Sequence, residues 1–209
     1  MSTELIPLFP LPLVLLPGSP LPLHIFEDRY KEMMADVMAG SREFGIVLAK
    51  DNGIVNIGCT ALVERVIQRY PDGRMDILTS GQRRFQIETL DEEKSYLRAG
   101  IDFFDDEDLT ETPLALRQKA MEAYQLLSVL EKPGIVLQPK IDSPRLSFQI
   151  AQYIADLDHR QTLISLRSEN ERLSFLIRMV PDYVKKQERI AVAKHLAPLN
   201  GHAKHVVNS

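Results

Sequence analysis

The stretch from Leu5 to Phe26 contains six prolines and no Asp, Glu, Lys or Arg, and this combination constrains the fold more than any other feature. By length alone, such an apolar run could cross a bilayer as a helix. The prolines exclude that helix, because each removes a backbone donor and clashes with the preceding turn. Proline in a strand is tolerated only at an edge, a start or a bulge. We therefore predict that Leu5–Leu11 is an extended strand at the margin of a sheet.

The rest of the first half has the pattern of short strands joined by turns. A short helix ending at Gly40 is followed by predicted strands over residues 44–49, 56–70, 75–79, 82–90 and 96–104. Residues 70–74, with Pro71 and Gly73, have the composition of a hairpin turn. Alternation over 82–90 places Phe85 and Ile87 inward, and Arg84, Gln86 and Glu88 outward. Several short strands in about a hundred residues indicate a small closed or nearly closed barrel.

Beyond the acidic stretch Asp105–Asp108, the apolar period becomes helical. Helix starts are predicted at Thr112-Pro113, at Ser143-Pro144, and at capping boxes that begin with Asp158 and Ser168. The last of these helices is expected to kink or split at Pro181 and to continue towards Leu196. The predicted class is α+β. It comprises a barrel with one short helix over residues 1–108, a helical part over 109–196 and a disordered tail over 197–209.

The charge and the cysteine content limit the kinds of partner and the cellular compartment that we expect. The net charge of −4 divides into −9 for residues 1–112 and +5 for residues 113–209. The acidic first half argues against nucleic acid, because phosphate contacts supply much of that affinity. Cys59 is the only cysteine, so no intramolecular disulfide can form, which suits a reducing cytoplasm. Met1–Glu4 has no positive charge typical of a signal peptide, so we expect an unprocessed cytoplasmic protein with no membrane association.

Little in the sequence predicts catalysis, a cofactor or a metal. The glycine spacing of Gly40–Gly45 lacks the Lys and Ser/Thr of a phosphate-binding loop, so a helix-to-strand turn is expected there. The acidic residues of 102–108 lack calcium-loop spacing and are expected to form a solvated linker. Cys59 is expected to be a core residue, and His24 a hydrogen-bonded structural histidine. The histidines of the carboxyl end, His195, His202 and His205, have no matching ligand elsewhere.

Two remaining features could contact a ligand or a partner. Of the neighbouring arginines Arg83 and Arg84, strand alternation points one outward and lets the other pair with an acidic residue. The amino-terminal segment is also more apolar than an edge strand normally is. If it stays uncovered it is a surface for extended or partly unfolded chains, by strand addition or groove packing. The alternative is that the helical half covers it. Its candidate contact residues are Leu8, Phe9, Leu11, Leu13 and Leu15.

Ordered segments along the chain resemble the Lon N-terminal (Lon substrate-binding) domain family, especially its small stand-alone bacterial members. The matching segments are 6–11, 16–18, 21–27, Arg29-Tyr30, 44–47, 57–61, 72–74, 81–85 and 171–173. The resemblance implies a PUA-like pseudobarrel followed by a helical bundle. In full Lon proteases this region helps to recognise substrates and organise the hexamer, whereas the ATPase and the Ser–Lys peptidase lie further along. The family provides no agreed catalytic residues to carry over.

We therefore expect a non-catalytic module that binds unfolded or extended polypeptide, or a partner protein, without a cofactor. Two alternatives stay open at this point. One is a hydrolase with an unrecognised site, which would bring Cys59 or a histidine against a charged partner. The other is an RNA-binding PUA-like module, which the charge of the first half opposes. The sequence indicates no oligomeric state.

Overall fold

The computed structural model of the chain describes residues 5–130 and 138–196. It contains an antiparallel-dominated sheet followed by helices, which confirms the α+β class. The six strands are β1 (Leu5–Leu11), β2 (Pro20–Ile25), β3 (Glu43–Lys50), β4 (Gly53–Arg69), β5 (Met75–Asp91) and β6 (Arg98–Phe103). The helices are α1 (Asp28–Ala39), α2 (Leu114–Leu127), α3 (Leu146–Ala151), α4 (Leu157–Ser165) and α5 (Glu169–Leu196).

Five strands close into a ring, so the predicted barrel is confirmed. Their order is β5, β4, β3, β1 and β6, and pairing between β6 and β5 completes the circle. The prediction that β1 lies at a margin is wrong. It pairs in parallel with β3 through Leu8–Leu11 and antiparallel with β6 through Leu5–Pro7. Because the two neighbours use different parts of β1, each of its prolines has one side without a ladder partner.

β2 lies outside the ring, and among the described strands it pairs with β5 alone. β5 itself is one strand of 17 residues, although the sequence predicts separate strands over 75–79 and 82–90. Register shifts along its pairing with β4 let it bend around the barrel without a break. The hairpin turn between β4 and β5 is confirmed. Tyr70 N donates to Arg74 O at 2.9 Å, and Gly73 has the positive φ of +85° that the turn requires.

The apolar core is divided between the inside and the outside of the barrel. A small cluster of Leu8, Val47, Phe85 and Ala99 fills the barrel. The larger cluster lies on the barrel's outer surface, where Phe9, Phe44, Cys59 and Ile77 pack in one continuous core with residues of all the helices. Burying apolar area is the main favourable term in folding, so most of this stabilisation depends on contact between barrel and helices.

The helix starts are partly as predicted. Glu171 N donates to Ser168 Oγ at 3.4 Å, which confirms Ser168 as the cap before α5, the first half of the predicted capping box. α4 is instead capped by Asp156, whose side chain accepts from His159 N, while Asp158 lies inside its first turn. α2 begins after Pro113 without a side-chain cap, so Thr112 does not act as one. α5 continues through Pro181 as a single helix of 28 residues.

No helix in residues 5–130 or 138–196 is long and apolar enough to cross a membrane. The predicted tail over 197–209 lies outside the described residues, and the domain boundary at residue 108 stays a prediction.

Gly58 gives a test of how tightly the strands approach inside the ring. A Cβ atom there would overlap the carbonyl oxygen of Ile46 and lie 2.7 Å from Phe85 Cζ. We expect Gly58→Ala to lower the free energy of unfolding by about 1–3 kcal/mol, because neither neighbour can move away freely. Asn56→Ala, at an exposed position of the same strand, should change it by no more than about 0.5 kcal/mol. Urea denaturation followed by circular dichroism measures both, and equal effects would contradict the packing described.

Candidate functional site

The amino-terminal segment is less accessible than its composition suggests. Leu8 is fully buried inside the barrel, and Phe9 packs on the ring of Tyr30 with 4.1 Å between ring centroids. Leu15 is also buried, so these three side chains belong to the core. Leu11 and Leu13 are only partly buried at the edge of that core. Of the five predicted contact residues, the folded surface therefore offers these two, and binding through them stays a prediction.

Backbone pairing also narrows how an extended chain could add to the sheet. β1 already has partners on both sides, whereas β2 pairs with β5 alone and the end of β4 beyond Leu62 does the same, so the outer edge of β2 is one open edge of the sheet. Gly81 N donates to Ser19 O, so the alternation of the ladder turns Pro20 and Pro22 away from β5. Proline has no N–H, and this outer edge therefore lacks donors where an added strand would need them. Strand addition is disfavoured here, whereas groove packing is not.

Arg84 joins the barrel to the helical part. Alternation on β5 points its side chain out of the barrel, as predicted, but helices cover that face and leave the side chain only 5% exposed. Its guanidinium donates to the carbonyl oxygens of Ile164 and Leu166, and to Asp106 Oδ1 at 2.6 Å. The expectation that one of the two arginines pairs with an acidic residue is correct for Arg84.

Arg172 of α5 lies on the other side of the same carboxylate. Its two terminal nitrogens donate to Asp106 Oδ1 and Oδ2, each at 2.6 Å, so that this pair is bidentate. Nη2 also donates to Glu169 Oε2 at 2.8 Å, and Nε donates to Ser147 Oγ at 2.9 Å. With its side chain 1% exposed, Arg172 is held by hydrogen bonds on every side.

These contacts decide the protonation of the cluster. Burial by itself raises the pKa of Asp106, but the hydrogen bonds and charge of Arg172, and then those of Arg84, outweigh it and hold the pKa below its ordinary value. Burial lowers the pKa of Arg84, and the positive charge of Arg172 adds to that effect. Asp106 is therefore the anion that allows two buried guanidinium groups to lie close together.

The role of Asp106 is the main point that sequence reasoning missed. Residues 105–108 are predicted as a solvated linker, yet Asp106 is partly buried, and Glu107 and Asp108 contact Arg167 and Ser168 of the helical part. Only folding brings Arg84, Asp106 and Arg172 together, because they are separated by 22 and 66 residues. The spacing of Glu169 and Arg172 at i and i+3 is the one local signal.

A cleft of about 340 Å³ opens beside this cluster, between β5 and the helical part. Arg84, Asp106 and Arg172 contribute to its lining, together with Phe148 of α3. Arg83 and Arg145 stand at its exposed side. The cleft is thus both positively charged and partly apolar, which suits binding better than proton transfer.

Cys59 and His24 do not form a reactive pair. Cys59 is fully buried, and burial raises the pKa of its thiol to about 12, far above that of a nucleophilic cysteine. His24 is exposed on β2, where Nδ1 lies 2.6 Å from Asp76 Oδ1 and Tyr70 donates to the other carboxylate oxygen. Residues 40–42 form the predicted turn between α1 and β3. In the described parts of the chain, no group of three or more His, Cys, Asp and Glu side chains could hold a metal ion.

Comparison with known proteins identifies one family. The model of the ATP-dependent protease La (LON) substrate-binding domain matches residues 5–182. Curated relatives include Lon protease 1 of Hydrogenovibrio crunogenus, which is 25% identical over 85% of this chain and 24% of its own length. A Lon protease of Roseiflexus castenholzii is 23% identical over 96% of this chain and 29% of its own length. The chain therefore spans about a quarter of the relatives that it matches.

Solved structures share the fold. The Lon N-terminal domain protein of Xanthomonas campestris superimposes with a TM-score of 0.68 at 22% identity, over 84% of this chain and 98% of that one. The N-terminal domain of a Mycobacterium avium complex Lon protease gives a TM-score of 0.61 at 17% identity, over 87% and 98%. The likeness therefore extends over both the barrel and the helical part.

Asp106→Asn tests the cluster. We expect a loss of about 2–3 kcal/mol in the free energy of unfolding at neutral pH, because two buried guanidinium groups lose their shared anion. Since the folded pKa of Asp106 is lowered, its contribution is present above the unfolded value of about 3.9 and disappears as the pH falls through the folded value. The difference between the two proteins should therefore shrink below about pH 4. Urea titrations across pH measure this, and Glu107→Gln is the control, because its exposed pair with Arg167 should contribute less than about 1 kcal/mol.

Cys59 supplies a second prediction. Iodoacetamide at pH 8 should leave Cys59 unmodified in the folded protein and alkylate it in urea, as mass spectrometry can show, because the buried thiol does not ionise. Rapid modification without denaturant would mean that β4 opens or that the thiol is activated.

Proposed function

Because the chain belongs to the LON substrate-binding domain family, we propose that it is a non-catalytic module that binds unfolded or extended polypeptide, or a partner protein. The family match carries this proposal, since it extends from β1 into α5 and thus includes the barrel and every helix start. A buried free thiol suits a reducing cytoplasm, which is where we place the module.

The arrangement of the amino-terminal segment supports the proposal. Leu11 ends β1 in register with Leu48, and Val14 O accepts a hydrogen bond from Arg160 Nη1 at 3.4 Å. Leu11 and Leu13 thus project from a segment that is fixed at both ends. A surface that is ordered before binding loses little conformational entropy on contact, which favours affinity.

The hydrolase alternative calls for Cys59 or a histidine against a charged partner. His24 does lie 2.6 Å from Asp76, but this exposed pair is on β2 and does not line the cleft. Cys59 donates to the carbonyl oxygen of Thr60 at 3.4 Å, and burial raises the pKa of its thiol to about 12, which keeps it protonated. The cluster of Arg84, Asp106 and Arg172 is held by fixed hydrogen bonds, and its carboxylate has a lowered pKa, opposite to the shift that a general acid or base at neutral pH needs. Both observations favour contact over chemistry.

Retention of unfolded protein tests the proposal. The immobilised full chain should retain a reduced and carbamidomethylated model protein better than the native form of the same protein. Leu11→Asp and Leu13→Asp should each weaken retention by about tenfold, because a charge replaces apolar area that the ligand would cover. The dissociation constant, measured by biolayer interferometry, reports the effect.

Leu90→Asp is the matched control, since Leu90 is 52% exposed on the barrel and lies outside the amino-terminal segment. It should leave retention unchanged. Equal retention of native and unfolded protein would refute the proposal. If all three substitutions weaken retention equally, the amino-terminal segment is not the binding surface. Thermal unfolding of each variant confirms that it is folded.

A further inference from the structure

The cleft between β5 and the helical part contains two arginines, Arg83 and Arg145, whose charges are not paired within the described residues. Arg84 and Arg172 are committed to Asp106, Glu169 and backbone carbonyls. Arg83 and Arg145 also line the cleft, but within the described part of the chain neither guanidinium forms an ion pair. Ion pairing within the fold therefore does not account for their charges on the same cleft.

Arg83 is held in a defined orientation. Its guanidinium carbon lies 3.6 Å from the centroid of the Phe103 ring, a contact that fixes the plane of the group. Stacking occupies the face of a guanidinium and leaves its N–H edge free to donate. Arg145 approaches from the opposite wall, as the residue just before α3. The two donors therefore face one cleft from the barrel and from the helical part.

The charge and the walls of the cleft define what it can take. Its lining includes four arginines and two aspartates, Asp105 and Asp106, and Glu169 pairs with Arg172 beside it, which leaves a surplus of one positive charge. Pro17, Pro144 and Phe148 add apolar surface, and Leu109, 85% exposed, also lines the cleft. A ligand that fits carries a single negative charge with an apolar group beside it.

We propose that this cleft binds a carboxylate of an extended polypeptide, with Arg83 and Arg145 as its donors and the apolar wall holding a neighbouring side chain. The proposal rests on the proposed function and adds a second, charged contact to it. A carboxylate matches the fork of a guanidinium in two parallel hydrogen bonds. Exposed Asp105 can accept a backbone N–H of the same segment, which a phosphate group would not offer.

Nucleic acid fits less well. A phosphodiester chain would place successive negative charges along Asp105 and the acidic stretch that follows it, where like charges repel. A polypeptide can present one carboxylate and otherwise neutral groups. The carboxylate can come from an acidic side chain or from the carboxyl terminus, and the experiment separates the two.

Three fluorescent peptides built from Gly, Ser and Leu test the proposal by anisotropy with the full chain. One has a central Glu and blocked ends, one has Gln in its place and blocked ends, and one has Gln and a free carboxyl terminus. We expect the Gln peptide with blocked ends to bind about tenfold more weakly than at least one of the others, a factor typical of a charge-assisted hydrogen-bonded pair. The side chain is the source if the Glu peptide binds best, and the terminus if the third peptide does. Affinity should fall with added salt.

Arg83→Gln and Arg145→Gln should each remove about tenfold of the preference for a carboxylate. Arg74→Gln is the matched control, because Arg74 is also exposed and lies over an aromatic ring, that of Tyr70, at the far hairpin. It should leave the preference unchanged. Both cleft arginines are exposed, so the variants should unfold at the temperature of the parent protein.

The proposal is overturned if the peptides bind alike, if Arg74→Gln has the same effect as the two cleft substitutions, or if a single-stranded oligonucleotide competes better than the peptides. If the Arg83→Gln and Arg145→Gln variants retain unfolded protein with the affinity of the parent protein, the carboxylate site is refuted and the proposed function stands. If the parent protein retains no unfolded protein, the proposed function is refuted as well.

Discussion

One carboxylate lies where the two parts of the molecule meet. Asp106 accepts from Arg84 of β5 and from Arg172 of α5, and both arginines are almost fully buried. Without this anion the two guanidinium groups would repel each other in a poorly hydrated environment. The hydrogen bonds of Arg84 to the backbone between α4 and α5 also fix the orientation of the helices on the barrel. The shape of the adjacent cleft follows from this arrangement.

The position of the core explains why barrel and helices form a unit. The barrel interior holds only a small cluster around Phe85, so the ring buries little apolar surface inside itself. Its outer surface supplies Phe9, Phe44 and Ile77 to the larger cluster shared with the helices. The same packing takes Leu8 and Leu15 out of reach of a ligand and leaves Leu11 and Leu13 at the boundary. Within one apolar segment, the residues that stabilise the fold thus differ from those proposed for binding.

Sequence reasoning predicts the local elements well and the long-range contacts poorly. The hairpin at Gly73, the turn after Gly40 and the cap at Ser168 follow from residue chemistry within a few positions. The position of β1 between two strands does not, because the pairing partners of a strand are chosen by the whole sheet. The cluster at Asp106 is missed for the same reason, since an acidic residue in a polar stretch has the same local pattern whether it is solvated or paired. Of the candidate cleft, the sequence indicates only the neighbouring arginines Arg83 and Arg84 on one strand, and not the helical residues that face them.

The prolines of β2 have a consequence for the behaviour of the protein in a crowded solution. Most of the ring is paired on both sides, and among the described strands β2, which lies outside the ring, turns the nitrogens of Pro20 and Pro22 away from its partner β5. An open strand edge can act as a template on which partly unfolded chains stack into fibrils. At Pro20 and Pro22 the outer edge of β2 cannot donate the hydrogen bonds that such growth would need. The outer edge of β2 is therefore a poor template for added strands.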